Sequence, residues 1–225
     1  MSKVLVERRG HATVVTINRP ERRNAVDAEA ACLLRAAFEA FEADAEARVA
    51  VLTGTGGCFC AGYDLHSVAA VPPPYDADGP GPMGPTRLLL TKPVIAAVEG
   101  HAVAGGLELA LWCDLRVASA GATFGVFCRR WGVPLIDGGT VRLPRIVGQG
   151  RALDMILTGR PVGAEEALAI GLANRVAPEG KALDQALEMA DMIAAFPQRC
   201  MRADRLSAYR QWDSDLAGAL RAEAI

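Results

Sequence analysis

GHAVAGGLELALWCDLRVAS, residues 100–119, is the stretch on which the fold turns. Its central pair, Gly105-Gly106, stands between a small apolar run and a helical pattern, and glycines at the mouth of a helix let a ligand come close to the backbone. Amide groups in the first turn of a helix lack intrahelical partners and carry a partial positive charge, so the NH of Gly105 is expected to donate to an oxyanion. Just upstream, PVIAAVEG at 93–100 reads as a short buried strand leading through small residues into this helix. RVAVLTG at 48–54 reads the same way and is closed by the turn Gly54-Thr55-Gly56-Gly57. Strand, loop, helix and strand in alternation predict crossover units, a mainly parallel sheet and helices outside it, which is an α/β fold.

The flanks agree with that class. KVLVER at 3–8 and ATVVTIN at 12–18, separated by Arg9, Gly10 and His11, predict a hairpin. The chain turns at Arg19-Pro20. Beyond it Ala31, Leu34, Ala37, Phe38 and Phe41 recur at helical spacing behind Asp27, which sits where an N-cap is wanted. VPPPYDADGPGPMGP, from Val71 to Pro85, holds too much proline and glycine for an element interior and predicts a long loop of low intrinsic order, a lid if it lies beside a site. The later third turns helical in GGTVRLPRIVG, RALDMILTG and AEEALAIG, each closed by a glycine. LANRVAP predicts a short strand, and KALDQALEMADMIAAF and the stretch after Pro197 predict helices. The last of these runs alanine-rich to Ile225 without a cap, so the C-terminal region is expected to stop unfinished.

A chain of 225 residues can bury one sizeable core, and the expected division is a core domain at 1–195 with a C-terminal helical region at 196–225. With 51% hydrophobic residues, 22% charged residues and a net charge of −2, the composition is that of a compact protein with no nucleic-acid or anionic-membrane surface. The basic residues are nearly all arginine, whose planar fork suits phosphate oxygens. MSKVLVERRG lacks the apolar run of a signal peptide, and no stretch reaches the roughly 18 apolar residues of a membrane span, so a cytoplasmic location is expected. The six cysteines are scattered through apolar segments without a zinc spacing, which predicts reduced thiols and no metal.

CFCAGYDL at 58–65 leaves a strand turn and enters a helical stretch through small residues, so the NH of Ala61 is expected to be a second donor, with Asp64 as a helix cap. Two such donors converging would hold a developing enolate, each worth about 3 to 4 kcal/mol in acyl-transfer enzymes. Glu108, three residues after Gly105, suits the helix dipole or proton transfer. His101, a single histidine without a metal-spaced partner, reads as structural.

Together, CAGYDL, GHAVAGGLELALWCDLRVAS, FGV at 124–126 and GGTVRLPRIVG at 138–148 resemble the crotonase superfamily, the enoyl-CoA hydratase/isomerase family, from about Val4 to Phe196. The resemblance implies a spiral of ββα units with a helical C-terminal trimerisation region, a homotrimer or dimer of trimers, and an acyl-CoA thioester as substrate with no further cofactor. It puts the thioester carbonyl between the NH groups of Ala61 and Gly105. It sets Arg22 or Arg23 of RPERRNAV against a phosphate, Ala25 at the adenine, and Gly62, Tyr63, Asp64 and Leu65 along the nucleotide and pantetheine path. Glu108 matches one of two glutamates that position and deprotonate water in family hydratases. The other falls on Cys128, and a thiol cannot replace a carboxylate at neutral pH without strong activation. Asp137, three residues before Thr140, falls where dienoyl-CoA isomerase-like members carry a catalytic aspartate, and it equally suits an N-cap for a helix at Gly138. The expected activity is reversible hydration of a 2-enoyl-CoA by a hydratase-like lyase; isomerisation through Asp137 and acyl-CoA binding without turnover are the alternatives. Phe127 and Trp131 are expected in the acyl pocket or core, and Arg129 and Arg130 at a subunit contact or on the surface.

Overall fold

A computed structural model describes residues 2–70 and 76–224. The chain opens with β1 (Val4–Arg9) and β2 (Ala12–Ile17), an antiparallel hairpin with Val4 opposite Ile17 and Arg9 opposite Ala12. Helix α1 (Ala28–Ala43) follows, and Asp27 caps it as its position demands, accepting from the NH of Ala30 at 2.9 Å. Then come β3 (Val49–Gly54), the short α2 (Leu65–Ala70), β4 (Val94–Val98), β5 (His101–Val103), α3 (Gly105–Trp112), β6 (Leu115–Ser119) and β7 (Thr123–Gly125). The last part runs α4 (Gly139–Val147), α5 (Gln149–Thr158), β8 (Val162–Gly163), α6 (Ala164–Ala169), β9 (Arg175–Ala177), α7 (Ala182–Ala195), α8 (Gln198–Arg210) and α9 (Leu216–Glu223).

The strands among the described residues form two sheets. One has the order β1-β2-β3-β4-β6-β9 and is parallel after the first hairpin; the other, β5-β7-β8, pairs β5 parallel with β7 and β7 antiparallel with β8. β3 and β4 are buried on both faces, as continuous apolar runs in a parallel sheet require. Successive residues therefore serve different cores. Val51, Ile95 and Val117 meet Ala186, Met189 and Ala190 of α7, while Leu52, Ala96 and Ala118 face the larger cluster containing Phe38, Phe41, Phe59, Phe124, Leu107 and Leu109. That larger cluster seats α3 against the second sheet, and α3 carries the site.

Residues 71–75 of the proline-rich stretch lie outside the described residues. The remainder departs from the expected low order. Gly81 and Gly84 pair across a tight turn, and Met83, Pro85 and Thr86 are buried. Gly84, at φ 96°, backs onto the carbonyl of Ala31 where a Cβ would collide with it, so this glycine serves a close contact with α1.

At the C-terminal end α8 is tied to the core through Asp114, which accepts from Arg205 Nε and from Tyr209 Oη, each at 2.7 Å. No residue of α9 is buried. Among the described residues no helix is long and apolar enough to cross a membrane.

Candidate active site

The segment 19–26 is built around a buried arginine. Arg19 Nη2 lies 2.9 Å from Asp64 Oδ2 and 3.1 Å from Asp27 Oδ2, and Nη1 donates to the carbonyl of Ala25. Asn24, fully buried at φ 57°, accepts from the NH of Arg19 at 2.9 Å and donates to the carbonyl of Thr55 at 2.8 Å. The segment is thereby clamped onto 58–64, with Arg22 and Arg23 exposed on its outer side and Ala25 buried beneath. Nothing in the periodicity of the sequence singles out Arg19, because its buried partner Asp64 lies 45 residues away and Ala25 and Asp27 reach it only through the turn of this segment.

Hydrogen bonding corrects the expected position of one oxyanion donor. Ala61 does not stand at a helix N-terminus, since α2 begins only at Leu65, and its NH is already donated to the carbonyl of Arg23 at 3.0 Å. The free donor is two residues on. Gly62, at φ 104°, turns its carbonyl to the NH of Val26 at 2.8 Å. In a trans peptide the following NH points the opposite way, so the Tyr63 NH faces away from segment 23–26, toward the side on which Ala104 and Gly105 lie. It has no hydrogen-bond partner among the described residues. A Cβ on Gly62 would lie 3.1 Å from the nitrogen of Gly105, which shows how closely the two segments approach. Gly105 is the first residue of α3, as expected, and its NH also lacks a partner among the described residues. It is preceded by Ala104 at φ 53° and ψ −125°, a strained conformation for alanine and the kind of outlier found where a backbone group is aimed.

One helical turn onward stands Glu108, 2% exposed. Its Oε1 accepts from the NH groups of Asp137 and Gly139, at 2.9 and 2.8 Å, while Oε2 accepts none among the described residues. Burial, reinforced by the charge of Asp137 and opposed by the two amides and Arg142, pushes its pKa up to about 7. Asp137, 3% exposed, has the same division of labour. Its Oδ1 accepts from the NH of Met83 at 3.0 Å and from Thr86 Oγ1, and Oδ2 has no partner among the described residues. Burial raises its pKa against the pull of Thr86 and Met83. Asp137 does not cap α4: the N-cap is Gly138, with no side-chain bond, because the carboxylate is taken by the 83–86 turn. Arg142 bolts that turn down, donating to the carbonyls of Asp137 at 2.9 Å and Thr86 at 2.6 Å. Cys128 is buried near Glu108, and burial first, then the charge of Glu108, raises its pKa, so it stays a protonated thiol.

The remaining candidates separate. Asp64 precedes α2 and accepts from the NH of His66 at 3.1 Å, which is the cap expected of it, and it also receives Arg19. Tyr63 is half-buried and Leu65 is 41% exposed, on the outer rim. Trp131, 71% exposed, belongs to neither pocket nor core, and Phe127 stacks under Arg130 at 3.7 Å. His101 is exposed on β5. Beyond Asp137 a cleft of about 820 Å³ runs between Thr86–Leu90, α4 and α8, with Trp112, Leu135, Tyr209 and Trp212 in its walls.

The chain that carries this arrangement, two amides without partners among the described residues and a buried carboxylate poised near neutrality, is similar in sequence and fold to known proteins. Residues 7–224 match the enoyl-CoA hydratase/isomerase family. Enoyl-CoA hydratase EchA19 of Mycobacterium tuberculosis is 45% identical over 198 residues, covering 85% of this chain and 74% of that protein. Carnitinyl-CoA dehydratase of Escherichia coli K12 is 41% identical over 190 residues, covering 83% of this chain and 72% of that one. A crystal structure of an enoyl-CoA hydratase from Mycobacterium tuberculosis H37Rv superposes with a TM-score of 0.95 at 38% identity, over 100% of this chain and 88% of the other.

Proposed function

The chain belongs to the enoyl-CoA hydratase/isomerase family, and from that premise we propose that it reversibly hydrates a 2-enoyl-CoA thioester, with Glu108 as the acid-base group. The thioester oxygen sits between the NH groups of Tyr63 and Gly105, which pull charge onto it as the bond to carbon 3 forms, each contributing about 3 to 4 kcal/mol to the enolate. Glu108 Oε2 takes a proton from water while the water oxygen bonds to carbon 3. The enolate then collapses, and the same carboxyl returns its proton to carbon 2. One water is added, and Glu108 ends as it began. Neither a redox group nor a metal is called for, since two amides and one carboxyl account for every bond made and broken. The observation that carries this reading is Glu108 itself: clamped through one oxygen, without a partner among the described residues at the other, and raised to about 7 by burial, the range in which a carboxyl both takes and gives a proton.

Cys128 stands where hydratases of the family carry a second glutamate, and as a thiol it does not share the proton transfer. Asp137 supports a second reading. With an Oδ2 that has no partner among the described residues and a raised pKa, it could exchange a proton with a carbon farther along the acyl chain and so shift the double bond. Crotonyl-CoA hydration and 3-enoyl-CoA isomerisation, followed by ultraviolet absorbance in wild type, Glu108→Gln and Asp137→Asn, separate the two. Loss of hydration in Glu108→Gln alone supports hydratase chemistry; isomerisation lost in Asp137→Asn supports the second reading. No turnover of any thioester by wild type would leave an acyl-CoA binder.

For coenzyme A we propose that exposed Arg22 and Arg23 meet phosphate oxygens, with Ala25 at the adenine and the Gly62–Leu65 segment along the pantetheine arm. The assembly we propose is a homotrimer or a dimer of trimers, supported by the bare apolar side chains of α9, and the setting is the cytoplasm.

A further inference from the structure

An acyl chain leaving the donor pair toward Glu108 and Asp137 must run along the first turn of α3, and one side chain already stands on that line. Met83 is 1% exposed, and its Sδ, Cγ and Cε lie 2.6, 3.1 and 3.2 Å from where a Cβ on Gly105 would project. The thioether therefore lies against the backbone of an oxyanion donor. The NH of the same residue donates to Asp137 Oδ1 at 3.0 Å, so Met83 spans the gap between the donor pair and the acids. The turn that carries it is held from three directions: Gly84 backs onto α1, Thr86 donates to Asp137, and Arg142 donates to the carbonyl of Thr86. A methionine side chain, with three rotatable bonds, swings aside for a slim chain, whereas the backbone beneath it has no room to retreat.

We propose that Met83 determines acyl specificity at the carbon next to the thioester, admitting an unbranched chain and excluding a branched one. The inference rests on the acyl-CoA reading of the site. A methyl branch at that carbon would have to drive the thioether back onto its own turn, which has no room to give. Displacement would pull the Met83 NH off Asp137 and leave a buried carboxylate oxygen short of a donor, a second cost added to the steric one.

Butyryl-CoA and isobutyryl-CoA test this, because they are isomers differing only in the branch, and neither has the double bond that hydration needs. Calorimetric titration of wild type is expected to show a clear preference for butyryl-CoA. Met83→Ala should reduce that preference about 10-fold or more, what one methyl commands in an apolar pocket, mainly through tighter isobutyryl-CoA binding. Met83→Leu, of similar volume, should keep the preference within about threefold. Equal affinity of wild type for both thioesters overturns the proposal without recourse to any variant, as does a preference unchanged in a folded Met83→Ala. Failure of wild type to bind either one overturns the acyl-CoA reading as well, so the two failures look different.

Discussion

Glu108 is kept in a setting that disfavours its charge, and that has a thermodynamic signature separate from catalysis. Its folded pKa of about 7 lies above the usual 4.5, so the native state holds a proton that the unfolded chain has released. Stability is then lost as pH rises between those values, by up to about 3 kcal/mol at full ionisation. Glu108→Gln keeps an acceptor for the amides of Asp137 and Gly139 and cannot ionise. In urea melts it should match wild type near pH ~4 and exceed it near pH ~8; a gap that does not widen with pH would contradict the buried-charge account. Catalysis moves the other way, with a loss of about 10²- to 10⁴-fold in kcat/KM for hydration. In wild type, hydration should rise with pH through an apparent pKa near 7, since water must give its proton to the ionised carboxyl. Tyr63→Phe is the companion test: the backbone NH is untouched, so activity should stay within about twofold, whereas a donor acting through the phenol would be lost. The two donors were unequally legible. Gly105 could be read from GG at a helix mouth, a local signal. For the other, the sequence points two residues early, to Ala61, because the displacement depends on Gly62 turning its carbonyl to Val26, a contact between segments far apart in sequence.

At the scale of elements, the segment 19–26 makes half of the donor geometry, since it engages Ala61 and Gly62 and leaves Tyr63 free. Arg19 is the part without which it would not hold. Removing the guanidinium takes from Asp64, whose side chain is 6% exposed, the only cation paired with it among the described residues and leaves Asp27, 13% exposed, to Lys3 alone, so Arg19→Met should cost about 3 kcal/mol in chemical denaturation. Burial pushes both acids up, but hydrogen bonds and charge from Lys3 and Arg19 overcome it and hold them below the usual 3.8. Their contribution is therefore present above pH 3.8 and lost as pH falls through the lower folded values, so the deficit of Arg19→Met should shrink in acid. A deficit constant down to pH ~2.5 would mean that Arg19 acts by packing alone. The regular elements were legible because their signals are local: β-patterned runs on either side of Gly10 in β1 and β2, an apolar stripe behind Asp27 in α1, continuous apolar runs in β3 and β4. The turn at 81–86 was not. Proline and glycine there look like slack, but the order comes from Ala31, Asp137 and Arg142, residues that no window around position 83 contains.

The whole molecule leaves one end uncovered. Trp212, Leu216 and Leu220 are 56%, 76% and 57% exposed, and Trp212 also borders the cleft between α4 and α8. Scattered apolar side chains on a surface mean little, but Trp212 lies in the short turn Gln211–Asp213 that leads directly into α9, and α9 buries none of its own residues. Arg145 stacks over Trp212 at 4.8 Å, presenting a guanidinium beside the same apolar surface, a combination enriched at subunit contacts. With a net charge of −2, long-range repulsion between copies is weak. Burial at about 25 cal/mol per Å² then favours covering this surface with a second copy of the chain. Light scattering is expected to give three or six times the chain mass. Leu216→Asp combined with Leu220→Asp should drop it to a single chain while the circular dichroism of the α/β core persists, because neither leucine contributes to that core. Acyl-CoA hydration in the dissociated form then tells whether neighbours complete the site: activity retained means that Tyr63, Gly105 and Glu108 suffice within one chain, and activity lost with the core intact means that a neighbouring copy closes over them.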